Sequence, residues 1–440
     1  MLFSLEDYRK KNIALSHVFN MDRCVDIPKM DKLRLSWQEN KGVCYTKALD
    51  VLMERTSSSY FSQIEAAQSQ AIDYSRLIFP AYEFLVADVL YDDWMSIMDP
   101  HQERKRDHSV HQPLTAYIIS EMLGRGVASD AFHIKDKSLL SLCAEKFLNS
   151  PKTEYLRSYL HDLHPSVDIT TTVSAQMWAE SLFYEAAIMA ALFHDIGYPW
   201  QYIHTVCRGI SMANGSVQAG CTFTQEGILH QISNRLLAFP FYGYNPSAML
   251  HSTIEWQQQV LADIESAFTN THGFPGALAF QYLNDLIRKF PQNTQFSDAV
   301  FRFIQDWAAV AIMMHDMVWE YYGKDGYKRG KQPAKPQFRL HADVDPLSCL
   351  IAMADILEEF GRPMASFGHK DEDTITTDFV FSCESSEIIS TGSILKINFK
   401  YKNNALQMKY KDKRQMEKER YFNDECGFVD LSPFGIDKVC

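Results

Sequence analysis

The sequence lacks the features expected of an extracellular or membrane protein. Its nine cysteines are an odd number, they are scattered, and no two of them form a Cys-x-x-Cys pair. We therefore expect most of them to be free thiols in a reducing compartment. No stretch reaches the roughly 18 uninterrupted apolar residues of a membrane span. Residues 1–20 also lack a basic stretch followed by an apolar block. These absences favour a cytosolic protein with no membrane partner.

Positive charge is also scarce. The chain has 43 Lys and Arg residues against 55 Asp and Glu residues, which gives a formal net charge of −12 at pH 7. A broad surface that binds a polyphosphate chain needs an excess of positive charge, which this chain lacks. A local basic pocket is still compatible with its net negative charge. We therefore expect no long nucleic acid as a partner, and a small molecule is the more natural ligand.

The pattern of apolar residues indicates a mainly helical fold. The 440 residues are 46% hydrophobic and 13% aromatic, which is enough for one large core or two ordinary ones. Apolar residues recur at helical spacing through most of the first 360 positions, for example over 74–98, 175–193 and 298–322. Period-two runs of β-branched residues are almost absent from that part, which disfavours a parallel sheet with crossover helices.

The character of the sequence changes after about residue 366. Residues 376–383, 392–402 and 405–410 alternate as strands do, and 402–404 (KNN) is a plausible hairpin turn. The charged stretch 409–420 is typical of a solvated helix or a sheet edge. We predict three regions, which are an N-terminal helical extension (1–72), a helical domain (73–365) and a C-terminal β-containing appendage (366–440).

A polar, Gly- and Lys-rich segment precedes this change. Residues 322–336 read YGKDGYKRGKQPAKP and are long enough for a lid or a disordered excursion.

One segment combines an apolar helix with two side chains that bind metals well. Residues 191–200 read ALFHDIGYPW, so His194 and Asp195 close an apolar run, and Gly197 and Pro199 then predict the helix end. Burying an imidazole and a carboxylate costs several kcal/mol unless both are satisfied. A divalent cation would satisfy both, and a buried His–Asp pair is the alternative. Neighbouring helical side chains point about 100° apart, so both can reach one ion only where the backbone opens.

Further candidate ligands stand in similar apolar settings. Each of them alone could be a satisfied core residue, but together they indicate a shared metal site. They are His108 and His111 at the start of an apolar helix, His272 at the start of another, His315 inside a third, and Asp355 in the middle of a fourth.

The ordered set His…His-Asp…His…His…Asp resembles the HD-domain superfamily of metal-dependent phosphohydrolases, in the six-ligand, two-metal form found in bacterial nucleotide hydrolases. The resemblance covers about residues 75–363. Its anchors are the motifs RDHSVH, ALFHDIGYP, HGFPGAL, AIMMHD and PLSCLIAMADILEEFGRP. It implies a helical HD bundle. A second His-Asp dipeptide, His161-Asp162, lies in a polar stretch, and we interpret it as part of the surface.

The resemblance also implies roles for individual residues. The first metal would be held by His111, His194, Asp195 and Asp355. The second would be held by Asp195, His272 and His315, so that Asp195 bridges the two ions.

Other residues near these motifs have open or supporting roles. His108 could replace His111, or it could contact phosphate or donate a proton. Arg106 matches an arginine of the family pattern and is a candidate phosphate contact, although it could equally fix the start of the helix. Asp316 is interpreted as orienting its neighbour histidine or as structural.

The implied chemistry is hydrolysis by a metal-activated water. A mixed set of histidines and carboxylates suits Mn²⁺, Fe or Zn²⁺, with Mg²⁺ an option at the more carboxylate-rich position. The expected activity is the release of triphosphate from a deoxynucleoside triphosphate. The alternatives are a phosphodiesterase for a cyclic mono- or dinucleotide, and a nucleotide sensor with little turnover.

Some partners and contacts stay open at this level. A homo-oligomer or a regulatory partner, as in signalling or phage defence, is compatible with the sequence. Arg104, Lys105 and Arg208 could contact phosphate. Tyr198 and Trp200 could either stack on a base or pack in the core.

Overall fold

A computed structural model of the chain supplies the structure. It describes residues 1–4, 6–7, 108–124, 130–149, 172–198, 271–288, 298–329, 333–360, 363–371, 374–381, 383–401, 405–423 and 425–440. Across these ranges, the helices are all too short or too polar to cross a membrane. The cysteines in these ranges, at 143, 349, 383, 426 and 440, are free thiols.

The described residues are mainly helical, as the apolar spacing predicts. Their helices before residue 360 are α1 (His108–Met122), α2 (Leu139–Leu148), α3 (Thr172–Phe193), α4 (Gly273–Arg288), α5 (Asp298–Met314), α6 (Val318–Arg329) and α7 (Pro346–Leu357). Helix α3 is central, because it packs on α1, α2, α5 and α7. Every residue from 186 to 193 is buried, which agrees with a helix that is apolar on nearly all of its faces.

Helix α7 is also entirely buried, and its N-terminus is well defined by the local sequence. Asp345 caps the helix by accepting a hydrogen bond from the Ser348 backbone N–H at 3.3 Å. Pro346 follows at the first helical position, where its missing N–H costs nothing. The helix therefore begins at a fixed place, and Asp355 lies near its other end.

A small mixed sheet is formed by strands from both ends of the chain. Strand β7 (Cys383–Thr391) pairs antiparallel with β8 (Ile394–Tyr401), with Thr391 opposite Ile394. Gly392, at φ 62°, occupies the tight turn between them. Strand β1 (Leu2–Ser4) adds antiparallel to β7, and β10 (Lys438–Val439) adds parallel to β8. Two short strands, β2 (His133–Ile134) and β3 (Lys137–Ser138), form a separate pair.

The strand predictions after residue 366 are confirmed in part. The predicted strand 376–383 overlaps β6 (Thr374–Phe381), and the predicted strand 392–402 overlaps β8. Strand β6 pairs antiparallel with β5 (Pro363–Asp371). The predicted strand 405–410 is wrong, because these residues begin helix α8 (Ala405–Phe422). The predicted turn 402–404 lies outside the described residues. Leu, Gln, Met, Lys, Glu and Arg dominate α8, and they are strong helix formers. Six alternating residues were too few to outweigh them.

The C-terminal segment is attached to the helical core. Strand β4 (Leu340–His341) pairs parallel with β9 (Val429–Asp430). The hydroxyls of Tyr321 and Tyr322 both donate to the carbonyl of Cys426 at 2.9 Å. The predicted domain boundaries at 72/73 and 365/366 stay predictions.

Part of the predicted 322–336 loop is helical. Helix α6 continues to Arg329, with a kink at Gly323, whose φ is 70°. Lys335 then forms an ion pair with Glu320 at 2.7 Å. The loop prediction is therefore wrong as far as residue 329, because the glycine interrupts the helix without ending it.

Candidate metal centre

Both buried His-Asp pairs occupy the same kind of turn at a helix end. Helix α3 ends at Phe193, and the Ile196 N–H donates to the Phe193 carbonyl at 3.2 Å. Helix α5 ends at Met314, and Met317 donates to Met314 at the same distance. The opening of the backbone predicted for His194 and Asp195 is confirmed.

The predicted position of His315 inside a helix is wrong. This histidine follows the last residue of α5, and only a short turn separates α5 from α6. Apolar residues continue through the turn, and no glycine or proline marks it in MMHDMVW. The helical period therefore hides the break.

The two turns hold their histidines in the same way. The Nδ1 of His194 lies 2.7 Å from the carbonyl of Ala191, and the Nδ1 of His315 lies 2.6 Å from the carbonyl of Ile312. A carbonyl can only accept, so each Nδ1 carries the proton. In a neutral ring, the lone pair of Nε2 then faces away from the helix that carries the histidine.

The turn after α3 touches the start of α4 at glycine positions. A Cβ atom added at Gly197 would lie 1.9 Å from the carbonyl oxygen of His272 and 2.5 Å from the backbone nitrogen of Gly276. Only a residue without a side chain permits this approach. Gly197 therefore allows the turn after α3 to bring His272 close to Asp195.

His272 is held from behind by the carboxylate of the second His-Asp pair. The Oδ2 of Asp316 accepts from the His272 backbone N–H at 2.9 Å and lies 2.8 Å from its Nδ1. Asp316 therefore orients a histidine, but this histidine is His272 and not the neighbouring His315 that the sequence predicted. Asp316, in the turn after α5, points toward Nδ1 of His272, whereas Asp195, in the turn after α3, points into the cluster of Nε2 atoms.

His111 is held between two carboxylates of α7. Its Nδ1 donates to Glu358, and its Nε2 lies 2.9 Å from Oδ1 of Asp355. Glu358 is not among the site residues predicted from the sequence. A signal was available, since residues three apart share a helix face and Glu358 follows Asp355 at that spacing.

The Nε2 atoms of four histidines converge around Asp195. The distance is 3.0 Å between those of His111 and His194, and 3.2 Å between those of His272 and His315. Asp195 lies between the two pairs, with Oδ2 3.4 Å from His111 and Oδ1 2.8 Å from His272. The residues form two groups that share Asp195, and in each group the ligand atoms lie within 4.8 Å of one another.

Burial and the nearby carboxylates shift the pKa values of two histidines of the cluster in opposite directions. Burial lowers the pKa of His194 to about 3, so this ring is neutral near pH 7. Burial would lower the pKa of His272 as well, but the carboxylates of Asp316 and Asp195 raise it to about 10. Nε2 lone pairs as close as 3.0 Å repel one another unless a proton or a cation lies between them. These buried His and Asp groups could hold metal ions.

The predicted ligands are thus found together in space. His111, His194, Asp195, His272 and His315 form the two groups, and Asp355 contacts His111. His108 is the first residue of α1, and the placement of its side chain lies outside the described part. The predicted phosphate contacts Arg104, Lys105, Arg106 and Arg208 lie outside the described residues, as do Trp200 and the surface pair His161-Asp162.

Tyr198 favours the packing role over the base-stacking role. Its ring stacks on that of His272, with 3.8 Å between the centroids and 15° between the planes. The face toward His272 is therefore already occupied.

Comparison with known proteins gives no match to a family model, to a curated protein or to a solved structure. The described residues are thus mainly helical, with buried clusters of histidine and aspartate that are consistent with an HD-type site.

Proposed function

We propose that the chain is a metal-dependent nucleotide phosphohydrolase of the HD type, which hydrolyses deoxynucleoside triphosphates to deoxynucleoside and triphosphate. The observation that carries the proposal is the convergence of four histidine Nε2 atoms on one buried aspartate. Each of these imidazoles has a hydrogen-bond acceptor behind its Nδ1. Support of that kind fixes the tautomer and the ring orientation of a metal ligand.

The donor set fits two divalent cations. His111, His194, Asp195 and Asp355 would hold the first, and Asp195, His272 and His315 would hold the second. Two nitrogens with one or two carboxylates suit Mn²⁺, Fe or Zn²⁺ in either group. When bound, such a pair lowers the pKa of a water toward neutrality and neutralises charge on phosphoryl oxygens.

The protein residues supply the geometry and the environment for this chemistry. Among the described residues, the second group has one carboxylate fewer than the first, so it leaves more coordination positions for a phosphate oxygen or for water. Asp195 is fully buried, and its charge is screened little by solvent. It would therefore hold the two ions close together.

The exposure of the ligands supports one direction of approach for the substrate. His194 and Asp195 are completely buried, whereas His272 and Asp355 are 6% and 7% exposed. The half-buried ring of Tyr198 lies beside His272. We place the entrance for the triphosphate on the side of His272.

The substrate class is supported by the sequence. The net charge of −12 disfavours a polymeric substrate. The basic residues 104–106 precede the helix that carries His111, where they could neutralise a triphosphate. The family resemblance favours a deoxynucleoside triphosphate, with a cyclic nucleotide as the second candidate.

The test is product identification with the full-length protein. Metal-free protein is incubated with Mn²⁺ and a panel of dNTPs, NTPs and cyclic nucleotides, beside Asp195→Asn and a control, His133→Gln, at an exposed histidine outside the cluster. We expect triphosphate and deoxynucleoside from the wild type and the control, and neither from Asp195→Asn. A linear monophosphate would indicate a phosphodiesterase. Tight binding without turnover would indicate a sensor, and no binding of metal or nucleotide would overturn the proposal.

A further inference from the structure

Two adjacent glutamates at the end of α7 point in different directions. The helix ends at Leu357, and Glu358, at φ −80° and ψ 65°, has left the helical conformation. The Glu358 side chain is fully buried and accepts from Nδ1 of His111. The next side chain, Glu359, is directed to helix α8, where it meets Arg414. One peptide unit therefore connects the candidate metal centre to the C-terminal segment.

Arg414 is held firmly in a buried position. Its Nε donates to Glu359 and its Nη1 donates to Glu417, both at 2.6 Å. The arginine is only 2% exposed, so the sequence-based expectation of a solvated surface for residues 409–420 is wrong at this position. Removing one member of a buried ion pair leaves a charge without compensation and is strongly unfavourable. The end of α7 is therefore fixed relative to α8.

The same end of α7 also fixes His111. Asp355 lies 2.9 Å from one ring nitrogen, and Glu358 accepts from the other. The Glu358 backbone N–H still donates to the Ala354 carbonyl at 2.9 Å, and both carboxylates reach His111 from this end of the helix. A displacement of this turn would move both contacts of the imidazole together.

We infer that Glu358 is a positioning residue for His111, and that Arg414 keeps the end of α7 where this positioning requires it. The C-terminal helix then belongs to the structure of the first metal group. The inference rests on the proposed function insofar as the cluster binds metal.

The second metal group is supported by other elements of the structure than the first. His272 is positioned by Asp316, which follows α5, and His315 is held by a carbonyl within α5. Neither contact involves α7 or α8. Loss of Arg414 or Glu358 should therefore weaken binding at the first group and spare the second.

Cobalt binding to the full-length protein tests this contrast. Co²⁺ is titrated into metal-free wild type, Glu358→Gln, Arg414→Met, Arg414→Lys and Gln415→Ala, while calorimetry and the visible absorption of Co²⁺ are followed. Gln415 is the matched control, because it is the exposed neighbour of Arg414 on α8. Circular dichroism and thermal unfolding establish that each variant is folded.

We expect two sites in the wild type and in Gln415→Ala. In Glu358→Gln one site should weaken by about 10- to 100-fold, as is typical when the group behind a ligand histidine is changed. In Arg414→Met the same site should weaken by about 2- to 30-fold, the range for residues that act through a chain of contacts. Arg414→Lys should recover part of the loss, since it keeps the charge. The absorption band of the other site should be unchanged.

The possible failures are distinguishable. A wild type that binds no Co²⁺ would overturn the proposed function and the inference with it. Two wild-type-like sites in Glu358→Gln and Arg414→Met, or equal weakening of both sites, would overturn the inference alone. If Arg414→Met does not fold, Glu359→Gln replaces it, because the amide keeps the shape of the side chain but removes the charge that pairs with Arg414. Unchanged binding in that variant would count against the role of Arg414.

Discussion

The substitution Asp195→Asn should abolish the stabilisation of the protein by metal. The amide keeps the shape of the carboxylate but removes the negative charge that lies between the two histidine pairs. Asp195 Oδ1 is 2.8 Å from His272 Nε2, and its Oδ2 is 3.4 Å from His111 Nε2, so the change affects both groups at once. We therefore expect the loss of both metals.

The size of the effect follows from mass action. A ligand present at 100 times its Kd stabilises the folded state by about 2.7 kcal/mol per site. The unfolding entropy is about 2.1 cal/mol/K per residue, so for 440 residues each site should raise the Tm by about 3 °C. Two sites then raise the Tm by about 6 °C.

The assay is thermal unfolding with Mn²⁺ and with a chelator. Wild type and the exposed control His133→Gln should lose about 6 °C on chelation, and Asp195→Asn should give the same Tm in both conditions. A metal-dependent shift of wild-type size in Asp195→Asn would refute the shared role of this aspartate.

Three further predictions concern the surroundings of the site and the core. Gly197→Ala should weaken the second metal group by displacing His272, because the new Cβ would meet its carbonyl oxygen at 1.9 Å; metal titration measures this. Trp307→Ala should cost about 3 to 5 kcal/mol in urea unfolding, since the ring is fully buried between aromatic neighbours. Asp430→Asn should cost about 1 kcal/mol at neutral pH, because a hydrogen bond with His341 holds the pKa of this partly exposed carboxyl below its ordinary 3.8.

The controls for these predictions come from the same chain. Gly392→Ala has no neighbour within 4 Å of the new Cβ, so it should leave metal binding unchanged, and a loss there would invalidate the steric argument. Trp307→Phe should cost less than Trp307→Ala, and equal costs would contradict a packing effect. A lowered carboxyl pKa stabilises the fold above the unfolded pKa and loses this effect on acidification. The difference between wild type and Asp430→Asn should therefore shrink as the pH falls below about 4; a constant difference would contradict the cause.

The helical core and the histidines and aspartates of the cluster could be predicted from the sequence because both depend on local pattern. The residues of α3 are small or apolar on nearly every face of the helix, and this pattern predicts that the whole helix is buried. A histidine or aspartate within or next to such a helix is costly without a partner. His111, His194, His272, His315 and Asp355 all stand out for this reason.

The residues behind the ligands could not be identified in the same way. Glu358 and Glu359 are adjacent and chemically equal, yet one accepts from His111 and the other from Arg414. The two side chains point in different directions because of the backbone conformation at the end of α7. The amino-acid types alone do not predict this conformation. Arg414 stands in a stretch of mixed charges that is typical of a solvated surface, so its burial depends on the tertiary structure alone.

The sheet was predicted incompletely for a related reason. Strand β1 pairs with β7 across almost the whole chain, since Leu2 lies opposite Glu387. Contacts of such separation leave no trace in local periodicity. The serine-rich sequence of β7 also has little of the β-branched alternation that identifies a strand.

The shared position of Asp195 has a consequence for the integrity of the whole core. The side chains around it come from segments as far apart as residues 111 and 355. On the proposed two-metal reading, each cation would act as a cross-link between distant helices, in a chain whose described cysteines form none. A fragment or a partly folded intermediate would lack one or more of these ligands. Retention of metal would therefore report that the whole core has folded.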